Sequence, residues 1–166
     1  TLMAAEYRNE TLSVFLNNPC VAALREPRGP DQVIEDLMIF PAYDESDRNR
    51  SVAERRLLTQ NIARIHHPLN REIEVEAAID RCIRWGYADR NPISPEYAAQ
   101  LSSGYNAAVY NLKIQTVGGY HPHTYGFSIL GISGIGKSTT VEAILSYYPQ
   151  VIRHTNFKCI PLSLTQ

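Results

Sequence analysis

The sequence predicts an α/β fold in which a mainly helical N-terminal region precedes the start of a strand–loop–helix unit. Two observations carry this prediction. Apolar residues recur at helical spacing over about residues 71–85 and again over residues 94–112. An apolar stretch over residues 125–130 runs directly into a glycine-rich loop, which an amphipathic segment over residues 137–147 follows.

Composition fits a globular protein. The chain has 166 residues, of which 44% are apolar and 20% charged, and its formal net charge is −1. A charge so close to zero provides no overall attraction to nucleic acid or to an anionic membrane, although a local basic patch stays possible. The chain begins with Thr1 and stops soon after the predicted helix 137–147, so we expect it to be a piece of a longer protein.

Targeting and redox signals point to the cytoplasm. No apolar run reaches membrane-spanning length, and the first residues lack the basic flank and apolar stretch of a signal peptide. Cys20, Cys82 and Cys159 are far apart and form no CxxC pair. We therefore expect free thiols in a reducing compartment and no membrane partner.

The N-terminal region, residues 1–60, is predicted to hold a short helix and an extended arm. Leu12, Phe15 and Leu16 lie on one side of a helix over residues 6–17, which Asn-Asn-Pro ends. Residues 25–50 contain several prolines and a polar, mixed-charge run, so they predict an irregular arm with a short apolar stretch over residues 33–40. A poorly ordered linker is the alternative interpretation.

The middle region, residues 61–120, is predicted to be helical. Just before this region, the Ser51-Val-Ala-Glu54 capping-box pattern starts a short helix to about Leu58. The region itself begins with a brief strand predicted over residues 61–65. The helix over residues 71–85 has Gly86 where a C-cap is expected. Ser94 and Pro95 start the next helix, which runs to about residue 112.

The last region, residues 121–166, is predicted to contain strands as well as a helix. The predicted strand 125–130 precedes the loop and the helix 137–147, and Pro149 ends that helix. Residues 151–154 predict a short strand. Residues 158–164 predict another, and Pro161 indicates an edge or an irregular segment there.

The loop matches the phosphate-binding pattern GxxxxGK[ST] at Gly131, Gly136, Lys137 and Ser138. Glycines let the backbone turn tightly, so that successive N–H groups face phosphate oxygens at a helix N-terminus, where the helix dipole favours anions. The strand–loop–helix order is the context that this motif requires. A glycine-rich turn with a solvated lysine is the alternative.

The motif predicts ATP and Mg²⁺ as ligands. Lys137 would place its charge between the β- and γ-phosphates, and the Ser138 hydroxyl would ligate Mg²⁺, so these two residues are the candidate catalytic groups. Thr139 would bond the α-phosphate through its amide or hydroxyl. The full set of candidate nucleotide-binding residues in the loop is Gly131, Ser133, Gly134, Ile135, Gly136, Lys137, Ser138 and Thr139.

Three further groups are weaker candidates. An aromatic-and-arginine turn, with Tyr87, Arg90, Asn91 and Pro92 after Trp85, would cover an adenine ring or instead pack in the core between two helices. A basic stretch predicts a solvated face rather than a DNA patch. The histidines at 121 and 123 and at 66 and 67 predict surface loops rather than a metal site. The basic stretch comprises Arg48, Arg50, Arg55, Arg56, Arg64 and Arg71.

Taken together, these residues resemble TnsC, the family of AAA+ ATPases that regulate Tn7-like transposons, CRISPR-associated ones included. The likeness spans nearly the whole chain, and its RNP and YPQVI stretches are much more selective than the P-loop itself. The stretches that carry the likeness are Tyr7-Arg8, an NPxxxAL turn over residues 17–24, residues 62–65, a GYxxRNP segment within residues 84–92, the P-loop, and an ILxxYPQVI helix exit over residues 144–152.

The resemblance implies an AAA+ P-loop NTPase core, of which only the start is present, after a mainly helical N-terminal region. It implies a bacterial, cytoplasmic ATPase that assembles as a ring or filament on target DNA. Such a protein would link a target-selection protein (TnsD/TniQ-like) to the transposase, and its N-terminal part would dock partners. The Tyr87–Pro92 turn would lie close to the nucleotide.

Part of the family's machinery cannot be located in this sequence. AAA+ hydrolysis needs a Walker-B acid pair, a sensor residue and an arginine finger from a neighbour, and the chain ends where the second core strand would begin. We therefore expect this chain to bind ATP without hydrolysing it alone. The alternatives are a helicase-loader or IstB-like helper, a small-molecule kinase, and an adaptor in which the nucleotide is structural.

Overall fold

A computed structural model describes residues 2–113 and 126–166. Its sheet has three strands in the order β1-β2-β3: β1 Leu2–Ala4, β2 Val151–Phe157 and β3 Ile160–Thr165. Strand β1 pairs parallel to β2, with Leu2 opposite Val151, and β2 pairs antiparallel to β3. The first described residues therefore lie in one sheet with the last ones.

The β2–β3 hairpin confirms the two strands predicted after Pro149. Its turn is at Lys158 and Cys159, whose φ angles of 46° and 66° are those of a tight hairpin turn that matches the strand twist. Pro161 lies in β3, an edge strand of the sheet that the described residues form, and edge strands are where proline is tolerated. Along β2, Ile152, His154 and Phe157 are buried.

The helix predicted over residues 6–17 is wrong. The structure has only a 3-10 helix over Ser13–Phe15 there, and the chain before it is extended. Ala5 donates its N–H to the Arg153 carbonyl at 2.9 Å, and Arg8 to the Ala22 carbonyl at 3.1 Å. Pairing with distant residues therefore replaces the local helix, which had no capping residue to favour it.

Helix α1, Pro19–Ala22, is capped by Asn18, whose side chain accepts from the Cys20 N–H at 3.0 Å. The arm predicted as irregular holds helix α2, Pro30–Leu37, so that prediction is wrong over these residues. Pro30 at the first helical position and the Gln32 side chain, which accepts from the Gly29 N–H at 3.2 Å, start this helix. A further 3-10 helix covers Glu45–Asn49.

Helix α3, Val52–Leu58, confirms the capping-box prediction. The Glu54 N–H donates to the Ser51 hydroxyl at 3.3 Å, and the Ser51 N–H donates to the Glu54 carboxylate at 3.0 Å. The prediction of a strand over residues 61–65 is wrong, because a 3-10 helix follows α3 directly and covers Thr59–Arg64. Strand-like pairing is found one residue later, in an isolated bridge between His66 and Ile39.

Helices α4, Asn70–Ala88, α5, Pro95–Val109, and α6, Lys137–Ser146, confirm the three long helical predictions. Gly86 does not cap α4, which ends two residues later. Ser94 caps α5 by accepting from the Tyr97 N–H at 3.1 Å. Helix α4 is central, since α1, α2 and α6 all contact it.

The strand predicted over residues 125–130 is not observed where the structure describes that segment. Residues 126–130 are irregular, and Leu130 is 92% exposed. A strand forms only by pairing, and among the described residues no neighbouring strand reaches this segment. Tyr125 and the histidines at 121 and 123 lie outside the described residues.

The apolar core joins α2, α4 and α6. Val33 and Leu37 of α2 meet Ile79 of α4, Ile144 of α6 and Tyr148 just beyond α6. In the two described ranges, we find no helix with the length and apolar character needed to cross a bilayer. The described residues thus combine helices with a small mixed sheet, and their assignment to a P-loop NTPase core stays a prediction.

Candidate functional site

The candidate phosphate loop ends at the start of α6. Gly134 and Gly136 have φ angles of 82° and 90°, a region of backbone space that favours glycine. Gly136 is the N-cap of α6. Alternation of such residues with ordinary ones produces a concave backbone whose N–H groups can face an anion.

Lys137 begins α6, and its side chain folds back over the loop. Its ammonium donates to the carbonyls of Gly131 and Ile132, both at 2.8 Å. A Cβ at Gly131 would lie 3.4 Å from Ile135 Cγ2 and 3.7 Å from Lys137 Cδ, so the loop closes around the lysine stem. The carbonyls of the loop therefore hold the positive charge of Lys137 at the loop.

Ser138 and Thr139 occupy the next positions of α6 and are exposed. The first intrahelical bond of this turn runs from the Thr140 N–H to the Gly136 carbonyl, at 2.9 Å. The N–H groups of Lys137, Ser138 and Thr139 precede it and have no acceptor within the helix. They are available to an anion, where the helix dipole adds attraction.

The loop and the first turn of α6 fit a nucleoside triphosphate with Mg²⁺. Among the described residues, no backbone acceptor is found for the N–H groups of Lys137, Ser138 and Thr139. These N–H groups and the Lys137 ammonium would donate to phosphate, and the Ser138 hydroxyl would offer one oxygen to the metal. The described residues contain no group of three or more His, Cys, Asp or Glu that could hold a metal ion. A P-loop site does not need one, because Mg²⁺ there keeps waters and binds phosphate oxygens besides the hydroxyl.

Two residues of α4 contact this end of α6. Glu72 accepts from the Thr140 hydroxyl at 2.8 Å, and the Arg71 guanidinium lies 3.5 Å from the Ile135 carbonyl. Sequence analysis missed Glu72. A signal was present, because an acidic residue at the third position of a helix often bonds the backbone before it, as Glu72 does with the Leu69 N–H at 3.1 Å.

The turn with Tyr87, Arg90, Asn91 and Pro92 lies elsewhere. It follows the C-terminal end of α4, whereas Glu72 and the loop are at the N-terminal end, about 22 Å away along the helix axis. Asn18 donates to the Tyr87 carbonyl at 2.7 Å, and Asn91 donates to the Asn17 carbonyl at 3.0 Å. The structure therefore does not bring these four residues to the phosphate loop.

The basic stretch is mostly solvated. Arg50 pairs with Asp47 at 2.5 Å and Arg48 with Glu45 at 3.7 Å. The other three arginines before α4 are exposed, and within residues 2–113 and 126–166 no ion pair is found for them. They are Arg55, Arg56 and Arg64.

No protein-family model matches the chain, and no curated protein matches it.

Proposed function

We propose that this chain is the ATP-binding part of an AAA+ regulator of DNA transposition. The observation that carries the proposal is the loop itself. A complete GxxxxGKS sequence has left-handed glycines at 134 and 136 and stands at the N-terminus of α6 with Lys137 folded over it. The stretches that resemble TnsC support the choice of family.

Each loop residue has a separate role in binding. The free N–H groups of the first turn of α6 hold phosphate oxygens, and Lys137 must exchange its two carbonyl acceptors for phosphate when a nucleotide enters. Bound Mg²⁺ would neutralise phosphate charge, and Ser138 would hold it through its hydroxyl. Gly134 and Gly136 allow the backbone to turn around the phosphates without a Cβ in the way.

In the whole protein, ATP acts as a switch for assembly. ATP favours the ring or filament on target DNA because it binds the assembled state better than the free protomer. The assembly then joins a TnsD/TniQ-like target-selection protein to transposase subunits in the bacterial cytoplasm. Hydrolysis needs an acid pair and a neighbour's arginine that this sequence does not identify.

Nucleotide binding is tested with a fluorescent ATP analogue and Mg²⁺, titrated against the chain and against Lys137→Ala. Loss of the lysine is expected to lower affinity at least roughly tenfold, since a charge-assisted contact to phosphate contributes about 1.5–3 kcal/mol. Lys113→Ala removes an exposed lysine just after the C-terminal end of α5 and serves as the control. Equal binding by the parent and Lys137→Ala would contradict the proposed site.

Assembly is tested on the full-length protein by mass photometry with duplex DNA, with and without a non-hydrolysable ATP analogue. Oligomers that require both the analogue and Lys137 are the expected result. A protein that binds ATP yet stays monomeric on DNA under these conditions would contradict the transposition role and leave the nucleotide site standing.

A further inference from the structure

Helix α4 presents a buried carboxylate to the helix of the phosphate loop. Glu72 is only 5% exposed. Burial of a charged group without partners is costly, so its contacts are informative. One carboxylate oxygen accepts from the Thr140 hydroxyl at 2.8 Å, and the other accepts from the Leu69 N–H at 3.1 Å and lies 3.2 Å from His66 Nε2.

Thr140 is one turn from Lys137 on α6. Residues three apart on a helix lie on the same side, so the Thr140 side chain shares a face with the lysine of the loop. Its N–H also closes the first turn of α6 through the Gly136 carbonyl. A bond that fixes the Thr140 side chain therefore fixes the rotation of the turn that supplies the phosphate-binding N–H groups.

The other side of Glu72 is anchored to the chain before α4. His66 forms the isolated bridge with Ile39, with N–H···O distances of 2.9 and 3.0 Å in the two directions. Glu72 thus connects the first turn of α6 to a backbone that is already paired. The carboxylate has fixed partners on both sides, which suits it to set the position of a neighbour.

From these contacts we propose that Glu72 is a positioning residue for the phosphate loop, acting through Thr140. The proposal rests on the proposed function, since it concerns the same nucleotide site. Its hydrogen bond orients the first turn of α6, so that the N–H groups of Lys137, Ser138 and Thr139 are arranged before the nucleotide arrives. Pre-arranged donors bind more tightly because less ordering is left to the binding step.

Glu76 provides the matched comparison. It lies one turn further along α4, is 3% exposed, and contacts Arg28 at 2.6 Å and the Tyr148 hydroxyl at 3.1 Å. It therefore holds the opposite end of α6, and among the described residues no hydrogen bond or ion pair joins it to the loop turn. A residue that only stabilises the fold and a residue that positions the loop can be separated with these two carboxylates.

The experiment measures affinity for a fluorescent ATP analogue with Mg²⁺ and, separately, the free energy of unfolding without nucleotide. Thr140→Val is expected to weaken binding roughly tenfold, whereas Thr140→Ser, which keeps the hydroxyl, stays within about twofold of the parent. Glu72→Gln keeps an oxygen acceptor for Thr140 but loses the second acceptor for the Leu69 N–H, so its affinity should lie between those of the parent and Thr140→Val. Glu76→Gln is expected to lower stability and leave the affinity of folded molecules unchanged.

The double variant Glu72→Met with Thr140→Val covers the case in which Thr140→Val does not fold, because it leaves no unpaired carboxylate behind. It should show the same roughly tenfold loss as Thr140→Val. Parent-like affinity in Thr140→Val or in the double variant overturns the positioning role while the nucleotide site stands. Absence of analogue binding by the parent overturns the proposed function itself.

Discussion

The two ends of the α4–α6 pair are built differently. At the loop end, α6 is tied to α4 by the Thr140–Glu72 hydrogen bond, and the loop around Gly134 is exposed. At the opposite end, buried and half-buried ions and tyrosines form a dense network. Its contacts are Arg28–Glu76 at 2.6 Å, Arg28–Asp36 at 2.7 Å, Tyr148–Asp80 at 3.2 Å, Arg84–Asp80 at 2.6 Å, and a hydrogen bond from the Tyr147 hydroxyl to the Asp36 carbonyl.

The contrast separates the end of the pair that stabilises the fold from the end that we propose binds a nucleotide. Burial and the neighbouring Asp80 and Glu76 raise the pKa of Tyr148, so its hydroxyl stays protonated, and its single proton is shared between the two carboxylates. Such a network costs much to break, because each member would leave a buried partner unpaired. The loop end has fewer contacts to lose and leaves its donors available to a ligand.

The largest expected effect comes from the network. Arg28→Ala leaves Glu76 buried without its cation, so we expect a loss of about 3–5 kcal/mol in the free energy of unfolding. Urea denaturation followed by circular dichroism measures it. Arg50→Ala breaks an exposed ion pair at the end of the 3-10 helix and should cost far less than Arg28→Ala, because solvent screens the pair. Similar losses in the two variants would remove the distinction between the two ends.

A pair of glycine substitutions sharpens the comparison at the loop. Gly136→Ala places a side chain at a φ of 90° and should destabilise the chain by about 1–2 kcal/mol. It should also weaken binding of the fluorescent ATP analogue. Gly86→Ala is the control, since Gly86 lies inside α4 with open space around it. There the extra methyl should stabilise by about 0.5–1 kcal/mol, and a destabilised Gly86→Ala would contradict the description of α4.

A smaller effect concerns pH and the sheet beside the network. Burial lowers the pKa of His154 below its usual 6.5, an effect that the Gln166 hydrogen bond partly offsets. The unfolded chain therefore takes up a proton near pH 6.5 while the folded His154 stays neutral, so stability falls as the pH drops from 6.5 to the folded pKa.

The slope cannot exceed about 1.4 kcal/mol per pH unit for one proton. His154→Gln should lose this dependence, and thermal melts of both proteins from pH 7.5 to 5.5 measure the difference. A parent whose stability rose relative to His154→Gln over that acidification would contradict the burial of a neutral histidine.

The smallest effect is chemical and leaves stability unchanged. Burial raises the pKa of the Cys20 thiol to about 11, whereas Cys159 is exposed in the hairpin turn. Because the thiolate is the reactive form, iodoacetamide at pH 8 should label Cys159 well before Cys20 in the folded chain. Mass spectrometry of tryptic peptides reads the order, and prompt labelling of Cys20 would show that its surroundings open readily.

Sequence alone determined the features whose signals are local. The Ser51–Glu54 box, the Ser94-Pro95 start and the apolar spacing of α4 each act within one or two helical turns, and all three helices are observed. The GxxxxGKS pattern of residues 131–138 is equally local, because its glycines, lysine and serine are fixed by position in the chain, and its phosphate-binding role stays a prediction. The structure adds the left-handed backbone that such glycines permit.

Tertiary structure decided everything that depends on a distant partner. Residues 2–8 are extended because Ala5 bonds Arg153, and residues 126–130 are irregular because no described strand pairs with them. Helical geometry places Tyr87 far from the loop, and packing of α6 on α4 brings Glu72 to Thr140 across 68 positions of sequence. Strand pairs and buried carboxylates take their energy from non-local contacts, which a local pattern of residues does not encode.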